Sequence, residues 1–138
     1  MPAPQTHQLR VYYEDTDFSG VVYHASYLRF LERGRTELLR AIGIHQQALH
    51  AGAAPVAFAV RRMTLEFLRP ARMDDWLNVE TRVTEVGGAR AGLAQRICRG
   101  DDVLLEAQVE VVAIANGRAA RLPPELRARF EEMRAGAG

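Results

Sequence analysis

The sequence has no lysine and a single cysteine, Cys98. One cysteine excludes an intramolecular disulfide and a cysteine-built zinc cage, and it fits a reducing compartment. Every one of the 18 basic residues is arginine, a pattern that reflects compositional bias more readily than a function. Against 17 acidic residues they leave a net charge of +1, so no global field favours nucleic acid. No apolar run approaches membrane-spanning length. The opening Met1-Pro2-Ala3-Pro4-Gln5-Thr6 has neither the basic nor the apolar region of a signal peptide. The expectation is a soluble cytoplasmic protein without membrane insertion. His7, His45 and His50 lack metal-ligand spacing, so no metal is expected, and Ser19 lies outside any G-x-S-x-G elbow, which argues against a serine triad.

What is present suits one globular domain spanning residues 1–138, because 48% of them are hydrophobic and 25% charged. Thr6 to Tyr13 alternates His7, Leu9, Val11 and Tyr13 against Gln8, Arg10 and Tyr12, which predicts a strand with one buried face. From Tyr27 to Ile42 the apolar residues Tyr27, Leu28, Phe30, Leu31, Leu38, Leu39 and Ile42 fall at helical spacing. Ser26 is a candidate N-cap, and Gly43 stands where a left-handed C-terminal residue is wanted. Gly34 in mid-helix costs about 1 kcal/mol relative to alanine, which close packing on a sheet would rationalise.

His45 to Ala51 suggests a short second helix. Val56 to Leu68 reads as a strand whose apolar phase slips from Val56, Phe58 and Val60 to Met63, Leu65 and Phe67, implying a bulge near Arg61-Arg62. Pro70 to Asp75 makes a turn before Trp76–Val86, where Leu77, Val79 and Val83 oppose Asn78, Glu80, Arg82 and Thr84. Hairpin signals at Gly87-Gly88 and Gly100-Asp101-Asp102 then link strands Ala89–Arg99 and Val103–Ala115. Asn116-Gly117 ends the last of these, and Pro123 opens an amphipathic helix from Pro124 to about Arg134, followed by a tail expected to fray.

The predicted class is therefore α+β: a curved antiparallel sheet of about five strands around one long helix, with a short C-terminal helix. One helix cannot cover both faces of such a sheet, so a second copy of the chain is expected at a face or an edge.

The chemistry is concentrated in Tyr12 to Tyr27. Here Glu14, Asp15, Asp17 and His24 sit with Tyr13 and Tyr23 in a turn-rich loop before the helix. A helical turn starting after Gly20 would aim free N–H groups and the positive end of the helix dipole at a bound anion or carbonyl, with Tyr23 and His24 best placed. Gly20 permits unusual dihedrals there. Asp15 reads as structural. Cys98 reads as a small packed side chain, with no charged neighbourhood to activate it. Arg61, Arg62, Arg69, Arg90, Arg96 and Arg99 could meet phosphates but equally suit a solvated sheet.

The runs Val11-Tyr12-Tyr13-Glu14-Asp15-Thr16-Asp17, Gly20-Val21-Val22-Tyr23-His24-Ala25-Ser26-Tyr27-Leu28 and Glu32-Arg33-Gly34-Arg35-Thr36-Glu37 resemble the 4-hydroxybenzoyl-CoA thioesterase family of hotdog-fold enzymes. The likeness is greatest to its tol-pal-associated acyl-CoA thioesterase branch, the YbgC type. Gly34 departs from the alanine of that pattern, which bears on helix packing.

The resemblance implies an acyl-CoA thioester hydrolase without a cofactor, acting as a homodimer or homotetramer on acyl-CoA or acyl-carrier protein. It implies that Asp17 is the catalytic carboxylate, that Tyr13 and His24 are functional neighbours, and that Gly20, Val22 and Tyr23 flank the substrate, with the N–H of residue 24 facing the thioester carbonyl. Asp17 can serve as general base or nucleophile because thiolate leaves easily. His24 could hold water, protonate a leaving group or, as the favoured role, orient Asp17. Two other readings are a non-catalytic acyl-CoA or acyl-carrier-protein binding module, and a hotdog dehydratase. The latter needs its acid on the central helix, whereas Asp17 precedes it.

Overall fold

A computed structural model describes residues 4–43 and 56–137, with side chains to Arg134. The expected helix at His45–Ala51 lies outside the described residues. The first strand, β1 (Gln5–Arg10), is shorter than predicted. Its alternation persists through buried Leu9 and Val11, but the chain then turns, leaving Tyr13 off the strand and 81% exposed. The main helix, α1 (His24–Ala41), starts three residues before the predicted position, and Tyr23 is its N-cap without a side-chain hydrogen bond. Ser26 is therefore not a cap: it is buried inside the first turn, where its Oγ accepts from Arg29. Gly43 does adopt the left-handed φ of +84° expected after the helix.

Strands β2 (Ala57–Phe67), β3 (Trp76–Val86), β4 (Arg90–Arg99) and β5 (Asp102–Ala115) complete an antiparallel sheet in the order β1-β3-β4-β5-β2. A register shift between Val60 and Arg62 forms the bulge that the apolar phase slip requires. Asn116 and Gly117 do more than end β5. Both have positive φ, the geometry of a tight hairpin turn, and they return the chain into a sixth, two-residue strand, β6 (Arg118–Ala119). The closing helix α2 runs from Pro124 to Ala137, beyond the predicted end.

One face of the sheet carries the core. Leu77, Val79 and Val83 of β3, Leu93 and Ile97 of β4, and Leu105 and Val109 of β5 are buried there, beneath Phe30, Leu31 and Leu38 of α1 and Leu126 and Phe130 of α2. Leu28, counted among the apolar helix positions, is instead 41% exposed. The opposite face is polar, with Glu80 bound to Arg96 at 2.8 Å and Glu110 to Arg61 at 3.6 Å. Such a face can remain in water. The open edge of β2 is a stronger reason for a partner than this polar face.

Gly34 sets how closely α1 sits on the sheet. A Cβ built there would lie 2.6 Å from Val79 Cγ1, 3.1 Å from Gln95 Nε2 and 3.2 Å from Thr81 Oγ1. Gln95, 1% exposed, uses that proximity to donate to the Leu31 carbonyl at 3.0 Å and to Thr81 Oγ1 at 2.9 Å. Its carbonyl accepts from Arg35 at 3.1 Å. An arginine can only donate, so this bond fixes which way the amide faces.

Gly34→Ala should therefore destabilise the fold. The gain of about 1 kcal/mol in helix propensity is outweighed by overpacking of about 1–3 kcal/mol against a stiff valine. A lowered denaturant midpoint in Gly34→Ala, restored by adding Val79→Ala, is the expected result.

Candidate active site

After β1 the chain folds into a single 3-10 turn, Tyr13–Asp15. Asp15 makes that turn: its Oδ2 accepts from the Tyr12 N–H at 2.9 Å, and it is 6% exposed. Its carbonyl accepts the Tyr23 N–H at 2.9 Å, so this residue ties the start of the loop to the start of α1. The structural reading of Asp15 holds.

Asp17, unlike Asp15, is exposed. A pairing of Thr16 with Val22 and a 2.9 Å bond from the Asp17 N–H to the Val21 carbonyl set it across from the residues that lead into α1. Gly20, at φ +84°, closes the intervening turn by donating to the Asp17 carbonyl at 3.0 Å. Nothing lies within 4 Å of a Cβ built on Gly20, so its dihedral angle is what the turn needs.

Ser19 controls the Asp17 side chain. Its N–H at 2.8 Å and its hydroxyl at 2.6 Å both donate to Asp17 Oδ1. These bonds, the hydroxyl's first, hold the carboxyl below the ordinary aspartate range. Asp17 is then an anion at neutral pH with Oδ1 engaged and Oδ2 outside both bonds. The imidazole of His24 makes no hydrogen bond to Asp17. It lies edge-on to Phe67 at 5.3 Å and tilted to Tyr23 at 5.9 Å. Ser19, a residue weighed in the sequence only as a nucleophile, thus supplies the hydrogen bonds to Asp17, while the nearby His24 also favours the anion through its charge.

The N-terminus of α1 is the other half of the site. With no side-chain cap, its first N–H groups depend on other partners. The Tyr23 N–H, expected to face a substrate oxygen, is bound to Asp15, and the Val22 N–H donates to the Ala71 carbonyl at 2.9 Å. Val22 itself is buried in the core. Ser26 N–H donates to Tyr23 O. Among the described residues, His24 and Ala25 are left with backbone donors that have no protein acceptor, at the positive end of the helix dipole. The loop is braced from the side by Ala71, whose N–H donates to the buried Tyr27 hydroxyl at 2.9 Å. Burial raises the Tyr27 pKa, which keeps the hydroxyl neutral.

Tyr13 contributes its carbonyl to the turn, accepting from the Thr16 hydroxyl at 2.9 Å, while its side chain is exposed. An anion with one oxygen pinned, next to uncapped helix N–H groups, is suited to attack on, or water activation at, a carbonyl whose oxygen becomes negative.

Comparison with known proteins places the fold in a family. The thioesterase superfamily model matches residues 19–106, more than half of the chain. This chain belongs to the thioesterase superfamily. The Escherichia coli protein named acyl-CoA thioester hydrolase YbgC is 47% identical over 127 residues, covering 90% of this chain and 93% of that protein. The Haemophilus influenzae acyl-CoA thioesterase YbgC is 42% identical over 128 residues, covering 91% and 93%. The crystal structure of a probable thioesterase from Bartonella henselae superposes with a TM-score of 0.85 at 45% identity, covering 88% of this chain and all of that one.

Within this thioesterase-superfamily chain most of the candidate phosphate-binding arginines are already paired. Arg61, Arg69, Arg90, Arg96 and Arg99 each meet a carboxylate, at 2.7–3.6 Å. Cys98 is buried, which raises its pKa and keeps it an inert thiol.

The Ser19 clamp predicts a pH signature. Activity requiring ionised Asp17 is lost as pH falls through its depressed pKa. Removing the hydroxyl in Ser19→Ala should move the acidic limb of kcat/KM to higher pH, while the basic side of the profile stays in place. An unmoved acidic limb would show that the clamp does not tune Asp17.

Proposed function

We propose that this protein hydrolyses the thioester of an acyl-CoA to the free acid and CoA, with Asp17 as the reacting carboxylate. The observation that carries this reading is the pairing of an Asp17 carboxylate held by Ser19 at 2.6 and 2.8 Å with the uncapped start of α1. The names of the similar Escherichia coli and Haemophilus influenzae proteins support the same substrate class.

In the reaction the thioester oxygen lies against the His24 and Ala25 N–H groups, where the dipole and two donors stabilise the oxyanion as it forms. Asp17 Oδ2 acts by one of two routes. It adds to the carbonyl carbon, giving a mixed anhydride that water opens, or it takes a proton from the water that adds. In both routes the C–S bond breaks and CoA departs as thiolate, which is then protonated from solvent or from His24. Single-turnover hydrolysis in heavy-oxygen water separates the two: only the anhydride route can leave label in Asp17.

A second copy of the chain completes the assembly in this reading. Phe18, Tyr13, Tyr23, Phe67 and Leu68 are exposed apolar side chains on and around the loop, and among the described residues β2 is hydrogen-bonded on one side only. Pairing of β2 edges in a homodimer, or in a tetramer built from dimers, would shield both. Sedimentation of the purified protein should give twice or four times the chain mass, and a monomer would overturn this part. In this reading the protein acts in the cytoplasm.

Asp17→Asn should retain fold and assembly while lowering turnover of acyl-CoA by about a hundredfold to ten-thousandfold, the scale of losing a positioned acid–base group. Thiol release from short, aromatic and long acyl-CoAs is the measurement. No turnover by the unaltered protein, with saturable binding of acyl-CoA, would replace hydrolysis with a binding function.

A further inference from the structure

The helix that opens at the proposed reacting centre also leads away from it to a cavity beside its second half. His24, Leu28, Arg35 and Leu39 are spaced four, seven and four residues apart, and so form one stripe along α1. Strand β2 runs the opposite way beside it. Phe67 meets His24 at 5.3 Å at one end, and partly buried Leu65 and Met63 follow. At the far end Phe58, Ala59 and Val60 face the second half of the helix across a cavity of about 270 Å³. Its walls are mostly apolar, including Leu93 and Phe130, but three polar side chains line it: Glu32, Arg35 and Thr36.

Arg35 is the unusual member. It is half-buried, and its one hydrogen bond among the described residues goes to the neutral Gln95 carbonyl at 3.1 Å. No carboxylate stands within ion-pair distance of it among those residues. A guanidinium carries five N–H donors, so most of its capacity is available to an occupant of the cavity. Burial disfavours its charge, with Glu32 the nearest compensation. An oxygen atom brought in by a ligand would relieve that cost. A carboxylate would meet Glu32 on the same wall, whereas a hydroxyl can accept from Arg35 and donate to Glu32.

We propose that the cavity receives the far end of the acyl chain and that Arg35 selects chains carrying a hydroxyl there. This rests on the hydrolase reading above and names its substrate class: aliphatic hydroxyacyl thioesters. The span from His24 to Arg35 is about 16 Å at the helical rise. The arginine side chain leans back toward the helix N-terminus and shortens that distance. At about 1.2 Å per bond of extended chain, a third of the residue repeat, the remainder suits an acyl group of roughly ten carbons.

The test compares kcat/KM for decanoyl-CoA and for its ω-hydroxy derivative, in the unaltered protein and in Arg35→Met, which keeps an apolar stem of similar length. The unaltered protein should favour the hydroxyacyl substrate by about ten- to a hundredfold, the range of one hydrogen bond to a charged group, and Arg35→Met should erase or reverse that preference. Equal rates in the unaltered protein, an unchanged ratio in Arg35→Met, or faster turnover of the ω-carboxy derivative than of the ω-hydroxy one would each overturn the proposal.

Should Arg35→Met fail to fold for want of its bond to Gln95, Leu28→Trp alters an exposed position on the stripe between His24 and Arg35. It should lower the ratio of decanoyl- to acetyl-CoA turnover at least tenfold, and an unchanged ratio would refute the path. Turnover without these dependences defeats the cavity assignment alone. No turnover of any acyl-CoA, with Asp17→Asn indistinguishable from the unaltered protein, defeats the hydrolase reading and this inference with it.

Discussion

The close seating of α1 on the sheet at Gly34 is the contact on which the other features depend. With no side chain at that position, Val79, Thr81 and Gln95 approach the helix backbone, and the Gln95 amide bridges strand, helix carbonyl and Arg35. Both polar atoms of the Gln95 side chain have partners, so the buried amide locks the helix without the cost of an unsatisfied amide. The helix is then fixed in depth and in rotation about its axis. Both of its functional ends follow from that: His24 and Ala25 at the N-terminus, and the stripe that carries Leu28 and Arg35.

The loop before α1 has little apolar burial of its own and is held by backbone bonds from two directions. Asp15 reaches back to Tyr12 and forward to Tyr23, while Val22 and the Tyr27 hydroxyl hold opposite sides of Ala71. The residues that do this bracing are buried or have their polar groups occupied. Asp17, Ser19 and His24 are among those left exposed, where they are able to meet a substrate. This division of labour explains how an exposed carboxylate can have a defined orientation: Ser19 pins one oxygen, and the surrounding turn keeps Ser19 in place.

Much of this architecture could be read from residue patterns. Alternation in β3 and β5, the phase slip that becomes the β2 bulge, the paired turn glycines and the mid-helix Gly34 each have a local physical cause that survives in the folded chain. The failures have causes too. Alternation carried β1 too far because Tyr13 has the right residue type for a strand but is drawn into the turn that Asp15 organises. Ser26 looked like a cap because serine often is one, yet the helix had already begun at His24, and burial gave the hydroxyl a different partner. The clamp by Ser19 needed a turn geometry that residue type alone does not specify. A D-x-S spacing before a glycine is the signal that could have suggested it.

The sequence by itself determined the fold class, the long helix and its sheet, and the stretch in which an acidic residue, a glycine and a Tyr-His pair stand together. Those rest on periodicity and on local chemistry, which neighbouring residues encode directly. Only the tertiary structure decided which donors are free, which oxygen of Asp17 is engaged and what Arg35 faces. Each of these depends on partners far along the chain, such as Ala71 for Val22 and Gln95 for Arg35, and their approach is set by packing that no local pattern records.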